Sequence, residues 1–202
     1  MTRPLLKICG ITSPAFARAA ESAGASYLGF IFVPSSPRAV TPAQARAIIS
    51  SLSGRARTVG VFTTAPINAI AATALSLALD VVQLHAPRPP SDVHLLQRLG
   101  LEVWRLDDAT DTPADAIILD GRSRSKTGGT GLPADWPRAA ALAAAGRRTV
   151  LAGGLSADNL AAAYAATHAS ILDINSSLEL SPGVKFPALL PPLFRALRSL
   201  TP

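Results

Sequence analysis

The 202-residue chain holds a single cysteine, Cys9, a single methionine and only ten aromatic residues. One cysteine cannot close a disulfide within the chain, which fits a reducing compartment and makes a cytoplasmic location the expectation. Arg3 and Lys7 interrupt the amino terminus, so no secretory signal is expected. The longest uncharged stretch, Thr58 to Leu79, has membrane-spanning length, but Thr63, Thr64, Pro66 and Asn68 divide it into a strand, a turn and a helix, so no membrane partner is expected. Neither paired Cys or His metal spacing nor a nucleotide-binding fingerprint is present, so neither metal nor cofactor is expected.

Charge is also scarce, at 16% of residues, and unbalanced: 19 Lys and Arg against 13 Asp and Glu give a net charge of +6. That excess invites an anionic partner. The basic residues are scattered and there are few rings to stack on bases, which argues against nucleic acid and for a small anionic substrate.

Hydrophobic residues, at 49%, are ample for a packed core. They recur as short β-rich runs at Leu5 to Ile8, Tyr27 to Val33, Thr58 to Phe62, Val81 to Leu84, Glu102 to Leu106, Ala116 to Leu119, Thr149 to Ala152 and Ser170 to Ile174. Continuous rather than alternating apolar character suits parallel strands covered on both faces. Helix starts lie between them: Ser13-Pro14 and Thr41-Pro42 pair a capping side chain with proline at the first helical position, and Ser156 can cap a stretch running to Ala166. Strand-helix repeats of this kind form right-handed parallel crossovers. Eight of them predict an α/β fold, a single (β/α)8 TIM barrel over residues 1–202, small for its class at about 25 residues per unit. An open doubly wound sheet is the structural alternative. Only about ten residues, Pro113 among them, separate the fifth and sixth strands, so the fifth helix is expected to be vestigial or missing. Pro191-Pro192 is expected to break the final helix, leaving Leu193 to Leu200 as its packed piece.

In such a barrel the residues that follow each strand share one rim. They are Cys9 and Gly10, the loop Pro34 to Arg38, His85, Arg105, Asp120, Gly153-Gly154, and Asn175-Ser176-Ser177. A thiol, a carboxylate and several cations on one face suit an anionic substrate that needs proton transfer. The glycine turns Gly128-Gly129-Thr130-Gly131 and Gly153-Gly154 offer bare backbone N–H groups to phosphate oxygens, and Ser176 adds a hydroxyl. Each glycine cluster alone is equally a simple turn. Likewise Asp120 before Gly121 reads as a turn aspartate, Lys7 as a solvated strand-end lysine, Arg38 as a surface arginine, His85 as a structurally bonded histidine and Arg105 as half of a rim salt bridge.

The segments together resemble the phosphoribosylanthranilate isomerase family from Lys7 to about Lys185. The matching pieces are Lys7-Ile-Cys-Gly-Ile-Thr12, Gly29-Phe-Ile-Phe32 with Ser36-Pro-Arg38, Val59-Gly-Val-Phe62 and Val82-Gln-Leu-His85. They continue with Leu119-Asp120, Gly128-Gly-Thr-Gly131 with Asp135-Trp136, Ala152-Gly-Gly-Leu155 with Asn159, and Asp173 to Glu179 with Pro182-Gly183. The resemblance implies an Amadori rearrangement of N-(5-phosphoribosyl)anthranilate to 1-(2-carboxyphenylamino)-1-deoxyribulose 5-phosphate, in tryptophan biosynthesis. It makes Asp120 the general acid and Cys9 the general base. A carboxyl with an ordinary pKa of ~3.9 must then hold a proton and a thiol near ~8.5 must lose one; burial favours the first, and a neighbour such as Lys7 is expected to favour the second. By the same resemblance Arg38 meets the anthranilate carboxylate, His85, Lys7 and Arg105 serve the substrate, and Asp173 braces the end of the eighth strand. Phosphate falls to Gly129, Thr130, Gly131, Gly153, Gly154, Asn175, Ser176 and Ser177.

Four positions depart from the family pattern, which usually has glycine at Ala86 and Ser177, serine at Asn175 and aspartate at Phe186. A side chain at Ser177 is expected to loosen the phosphate cradle, so that Ser177→Gly would lower the Michaelis constant. The alternative function is a non-catalytic or relaxed-specificity phosphosugar-binding barrel. Monomer and homodimer are both compatible with the sequence.

Overall fold

The computed structural model describes residues 3–107, 113–121 and 135–200. Eight parallel strands close in chain order into a barrel: β1 Leu5–Ile8, β2 Tyr27–Ile31, β3 Arg57–Phe62, β4 Val81–Leu84, β5 Glu102–Leu106, β6 Ala116–Asp120, β7 Thr149–Ala152 and β8 Ile171–Ile174. Closure is made by β1 against β8, in a register that sets Lys7 opposite Asp173.

Successive side chains of a strand point to opposite faces, so alternate residues line the lumen. Tyr27, Val59, Val81, Trp104, Ala116, Ile118, Val150 and Ile171 form one buried cluster there, with the Tyr27 and Trp104 rings edge to face at 4.9 Å. The intervening residues, such as Leu28, Val82, Leu84, Ile117 and Leu172, join a larger cluster with the helices. The lumen is thus filled at its amino-terminal half, and polar inward residues are left to the carboxyl-terminal half.

The helices are α1 Pro14–Ala23, α2 Pro42–Ile49, α3 Ile67–Ser76, α4 Pro90–Arg98, α5 Trp136–Ala144, α6 Leu160–Thr167 and α7 Leu190–Arg198. The expected caps of α1 and α2 are present: Ser13 Oγ accepts from Phe16 N, and Thr41 and Gln44 form a reciprocal capping box. Ser156 acts differently from expectation. Its hydroxyl accepts from Asp158 N at 3.2 Å while its own N–H donates to Asn159 Oδ1 at 2.8 Å, so a side-chain-bonded turn precedes a helix that begins only at Leu160. Pro191-Pro192 does not break the last helix but opens it. α7 starts at Leu190 with both prolines in its first turn, where an absent N–H leaves no intrahelical bond unmade. Between β5 and β6, residues 107 and 113–115 are not helical; the remainder of the expected vestigial fifth helix, residues 108–112, lies outside the described residues.

After β8 a 3-10 turn, Ser176–Leu178, leads into an antiparallel hairpin, β9 Glu179–Ser181 and β10 Val184–Lys185, that the sequence reading did not anticipate. Among the described residues no helix is long and apolar enough to cross a membrane.

Candidate active site

A cavity of about 250 Å³ opens at the carboxyl ends of the strands. Its walls are the last inward positions of the barrel: Cys9 after β1, Ile31 on β2, Val61 on β3, Gln83 and His85 at β4, Asp120 on β6, Ala152 on β7, and Asp173 and Asn175 at β8. Strand alternation alone brings this set together, because each lies two or four residues beyond a member of the apolar lumen cluster or on the same face as one.

Cys9 forms one wall and is only 5% exposed. Two residues earlier on the same face, Lys7 is completely buried and donates from Nζ to Asp173 Oδ2 at 2.6 Å. Lys7 is therefore not the solvated strand-end lysine that local sequence allowed. Gly29, opposite on β2, makes room for both: a Cβ there would lie 3.0 Å from Cys9 Sγ and 3.1 Å from Lys7 Cε. Burial pushes the Cys9 thiol above its ordinary range, and Asp173 adds to this, while Lys7 and Lys185 oppose it without prevailing. The expected lowering by Lys7 is present but outweighed, because the sulfur loses more hydration than the ammonium restores. For Lys7 itself burial works against the charged form, yet Asp173 and Cys9 together hold its proton more tightly than usual. Burial also raises Asp173, against the pull of Lys7. Asp173 Oδ1 faces no hydrogen-bond partner among the described residues although it is buried at the cavity.

Across the cavity, Asp120 Oδ2 lies 3.3 Å from His85 Nε2. His85 Nδ1 lies 3.2 Å from Gln83 Nε2, so an amide N–H donated by Gln83 leaves the histidine proton on Nε2, directed at Asp120. Gln83 was not recognised from sequence. Its signal was its place two residues before His85, hence on the same strand face.

Arg38 lines the cavity from the β2–α2 loop. It donates from Nε and Nη2 to the two carboxylate oxygens of Glu179, at 2.8 and 2.7 Å. Lys185 Nζ lies 3.0 Å from Glu179 Oε1 and donates to the carbonyl and side-chain oxygens of Asn175, each at 2.8 Å. Burial disfavours the Glu179 carboxylate, but Arg38 and Lys185 more than compensate and hold its pKa below the usual range. Glu179 and Lys185 were also missed as site residues, because they reach Arg38 only through the unanticipated hairpin.

The turn after β7 presents Gly153 and Gly154 to the cavity, with φ of +96° and +70°. A Cβ on Gly153 would stand 2.7 Å from Gly121 N and 3.0 Å from Asp120 Oδ1, so only glycine lets this turn pack beside Asp120. Ser176 lines the cavity as well. Ser177 does not: its hydroxyl turns back to donate to Leu155 O at 2.7 Å, tying the loop after β8 to the loop after β7. Its φ is not positive, so its backbone conformation does not demand glycine. Arg105 is misplaced by the sequence reading. Its neighbour Trp104 belongs to the lumen, so Arg105, 3% exposed, faces the opposite side of β5 and does not line the cavity. Gly129, Thr130 and Gly131 lie outside the described residues.

Among the described residues no group of three or more His, Cys, Asp or Glu side chains is placed to hold a metal ion. A sequence model of N-(5'-phosphoribosyl)anthranilate isomerase matches residues 6–195. The isomerase of that name from Pelobacter propionicus is 42% identical over 186 residues, covering 89% of this chain and 88% of the relative. The one from Granulibacter bethesdensis is 38% identical over 205 residues, covering 96% and 98%. The crystal structure of phosphoribosyl anthranilate isomerase from Thermus thermophilus superposes with a TM-score of 0.87 at 36% identity, covering 98% of this chain and all of that one. With a closed eight-stranded barrel, a cavity at its carboxyl end and a match along nearly its whole length, this chain belongs to the phosphoribosylanthranilate isomerase family.

Proposed function

We propose that the protein catalyses the Amadori rearrangement of N-(5-phosphoribosyl)anthranilate to 1-(2-carboxyphenylamino)-1-deoxyribulose 5-phosphate in tryptophan biosynthesis, with Asp120 as general acid and Cys9 as general base. The observation that carries this reading is that both side chains line one cavity, which also presents the glycine turn Gly153-Gly154. A solved family structure, 26% identical with a TM-score of 0.83, holds the reduced form of that product.

In the reaction Asp120 gives its proton to the ribose ring oxygen as the bond from C1 to that oxygen breaks, and the nitrogen lone pair forms the C1 iminium. The Cys9 thiolate then removes the proton on C2, and the C–H electron pair becomes a C1–C2 double bond that neutralises the iminium. Return of that proton from Cys9 to C1, as the C2 hydroxyl passes its own proton to the Asp120 carboxylate and becomes a carbonyl, completes the ketose and restores both groups. General acid and base catalysis of this kind contributes about 10²–10⁴-fold for each group.

His85 holds Asp120 in place through Nε2, and Lys7 keeps a positive charge beneath Cys9 that favours the thiolate. Arg38 receives the anthranilate carboxylate. Gly153, Gly154, Asn175 and Ser176 cradle the phosphate with Gly129, Thr130 and Gly131, and Ser177 braces that cradle through Leu155. Arg105 acts only through its field. We place the whole chain in one cytoplasmic barrel domain that works as a monomer or homodimer on a small anionic phosphosugar.

Incubation with N-(5-phosphoribosyl)anthranilate, followed by the change in anthranilate-type fluorescence, tests the reading. Conversion supports it. Stabilisation by the ligand without product favours the non-catalytic binding barrel instead.

A further inference from the structure

Arg38 is held by a seat whose charged side chains come from the segment that follows β8. Glu179 and Lys185 are register partners across the hairpin, and their side chains are only 3% and 2% exposed. Glu179 takes two N–H groups from one edge of the Arg38 guanidinium, at Nε and Nη2. The turn of the same hairpin supports the backbone before Arg38: at Gly183, φ +86°, a Cβ would come within 2.4 Å of Pro37 O, and Thr12 Oγ1 donates to Gly183 O at 3.0 Å. On the other side a Cβ at Gly10 would lie 2.8 Å from Arg38 Cδ. Contacts from two segments far apart in sequence, the loop after β1 and the hairpin after β8, therefore define the position of one arginine.

A guanidinium has five N–H donors in a rigid fork, and a carboxylate on the Nε edge leaves the Nη1 edge unused. Among the described residues Nη1 of Arg38 has no hydrogen-bond or ion-pair partner, while Arg38 lines the cavity. The cluster of Arg38, Lys185 and Glu179 carries two positive charges and one negative. The unused donors belong to the side chain at the cavity wall.

We propose that Glu179 is a positioning residue that gives the enzyme its preference for a carboxylate on the aryl part of the substrate. By occupying the Nε edge, it turns the Nη1 edge of Arg38 into a fixed receptor for a second carboxylate. Lys185 anchors Glu179 to the end of β8 through Asn175. Preorganised in this way, Arg38 loses little side-chain freedom when substrate arrives, which sharpens discrimination rather than general affinity. The inference rests on the proposed reading of the site and adds the residue that sets its substrate class.

The test compares kcat/KM for N-(5-phosphoribosyl)anthranilate and for the aniline analogue that lacks the carboxylate, in the wild-type protein and in Glu179→Gln. The expected result is a strong wild-type preference for the carboxylate-bearing substrate that falls about tenfold or more in the variant. The loss should appear mainly in KM, while competitive inhibition by inorganic phosphate stays within about twofold of wild type. Should Glu179→Gln not fold, Glu179→Asp, whose shorter side chain cannot span both guanidinium nitrogens in place, is read the same way. An unchanged preference in a folded variant, or parallel loss of phosphate affinity, overturns the proposal while leaving the isomerase reading intact. Wild-type protein that converts neither substrate overturns both.

Discussion

Lys7 and Asp173 meet across the seam that closes the barrel, Nζ to Oδ2 at 2.6 Å, although 166 residues separate them in the chain. The pair joins the first strand to the last and sits directly beneath Cys9. Removing one partner leaves the other charge buried alone, which typically lowers stability by about 3–5 kcal/mol. Lys7→Met should therefore shift the urea midpoint strongly downward and slow turnover as well, since the thiolate loses its nearest cation. A variant of wild-type stability would show that the ion pair does not hold the seam.

Gly29 tests the space above that pair. Adding one methyl group in Gly29→Ala places a carbon 3.0 Å from Cys9 Sγ and 3.1 Å from Lys7 Cε, closer than ordinary van der Waals contact. Overpacking of this kind lowers stability by about 1–3 kcal/mol. Displacement of Cys9, the proposed base, should reduce kcat by about tenfold or more, out of proportion to the stability loss. Thermal unfolding and steady-state kinetics on the same preparation separate the two effects, and an unaltered kcat would mean that sulfur position is not critical.

Burial raises the Cys9 thiol, and a base acts only once it has lost its proton. In the free enzyme kcat/KM should consequently climb with pH through and beyond the ordinary thiol value of ~8.5. Removing Lys7 takes away the largest opposing influence and should push that limb to still higher pH. A limb well below ~8.5 would mean that the cations around Cys9 outweigh its burial.

Glu21, buried at the end of α1, accepts from Ser53 N, Ser53 Oγ, Arg55 N and Ala56 N. Burial disfavours its charge, but these donors prevail, Ser53 foremost, and its pKa falls below the usual glutamate value. A depressed folded value means that its contribution is complete above about pH 4.3, the unfolded value, and is lost as pH falls through the lower folded one. Glu21→Gln should weaken folding at neutral pH by about 1–3 kcal/mol and flatten the acid limb of a stability-pH curve. Parallel wild-type and variant curves would contradict this.

Ser177 carries a reversal of the expectation from sequence. Because its hydroxyl ties Leu155 O, Ser177→Gly should raise the Michaelis constant by a few-fold, in keeping with about 1 kcal/mol for one hydrogen bond. A lowered constant would restore the view that glycine suits the position better.

Strand positions were legible because hydrophobic runs bounded by turn residues need no knowledge of partners: β1, β4, β5 and β7 lie where the runs place them. The rim residues followed from strand ends, which is why Cys9, His85, Asp120 and Asn175 could be placed together without coordinates. Arg105 failed because a continuous apolar run hides which alternate positions point inward, and only the Trp104 ring in the lumen settles the parity of β5. Pro191-Pro192 failed because proline's effect depends on whether it falls in the first helical turn or later. Glu179 and Lys185 were invisible as site residues since their role exists only when a hairpin brings them to an arginine 141 residues away from Glu179.

The measurement that bears most directly on the mechanism is turnover of N-(5-phosphoribosyl)anthranilate by Cys9→Ala and by Asp120→Asn, alongside binding of the reduced ketose product. The account predicts that each variant loses about 10²-fold or more in kcat while still binding that product analogue. Wild-type rates in both variants would contradict the assignment of this thiol and this carboxyl as the base and the acid.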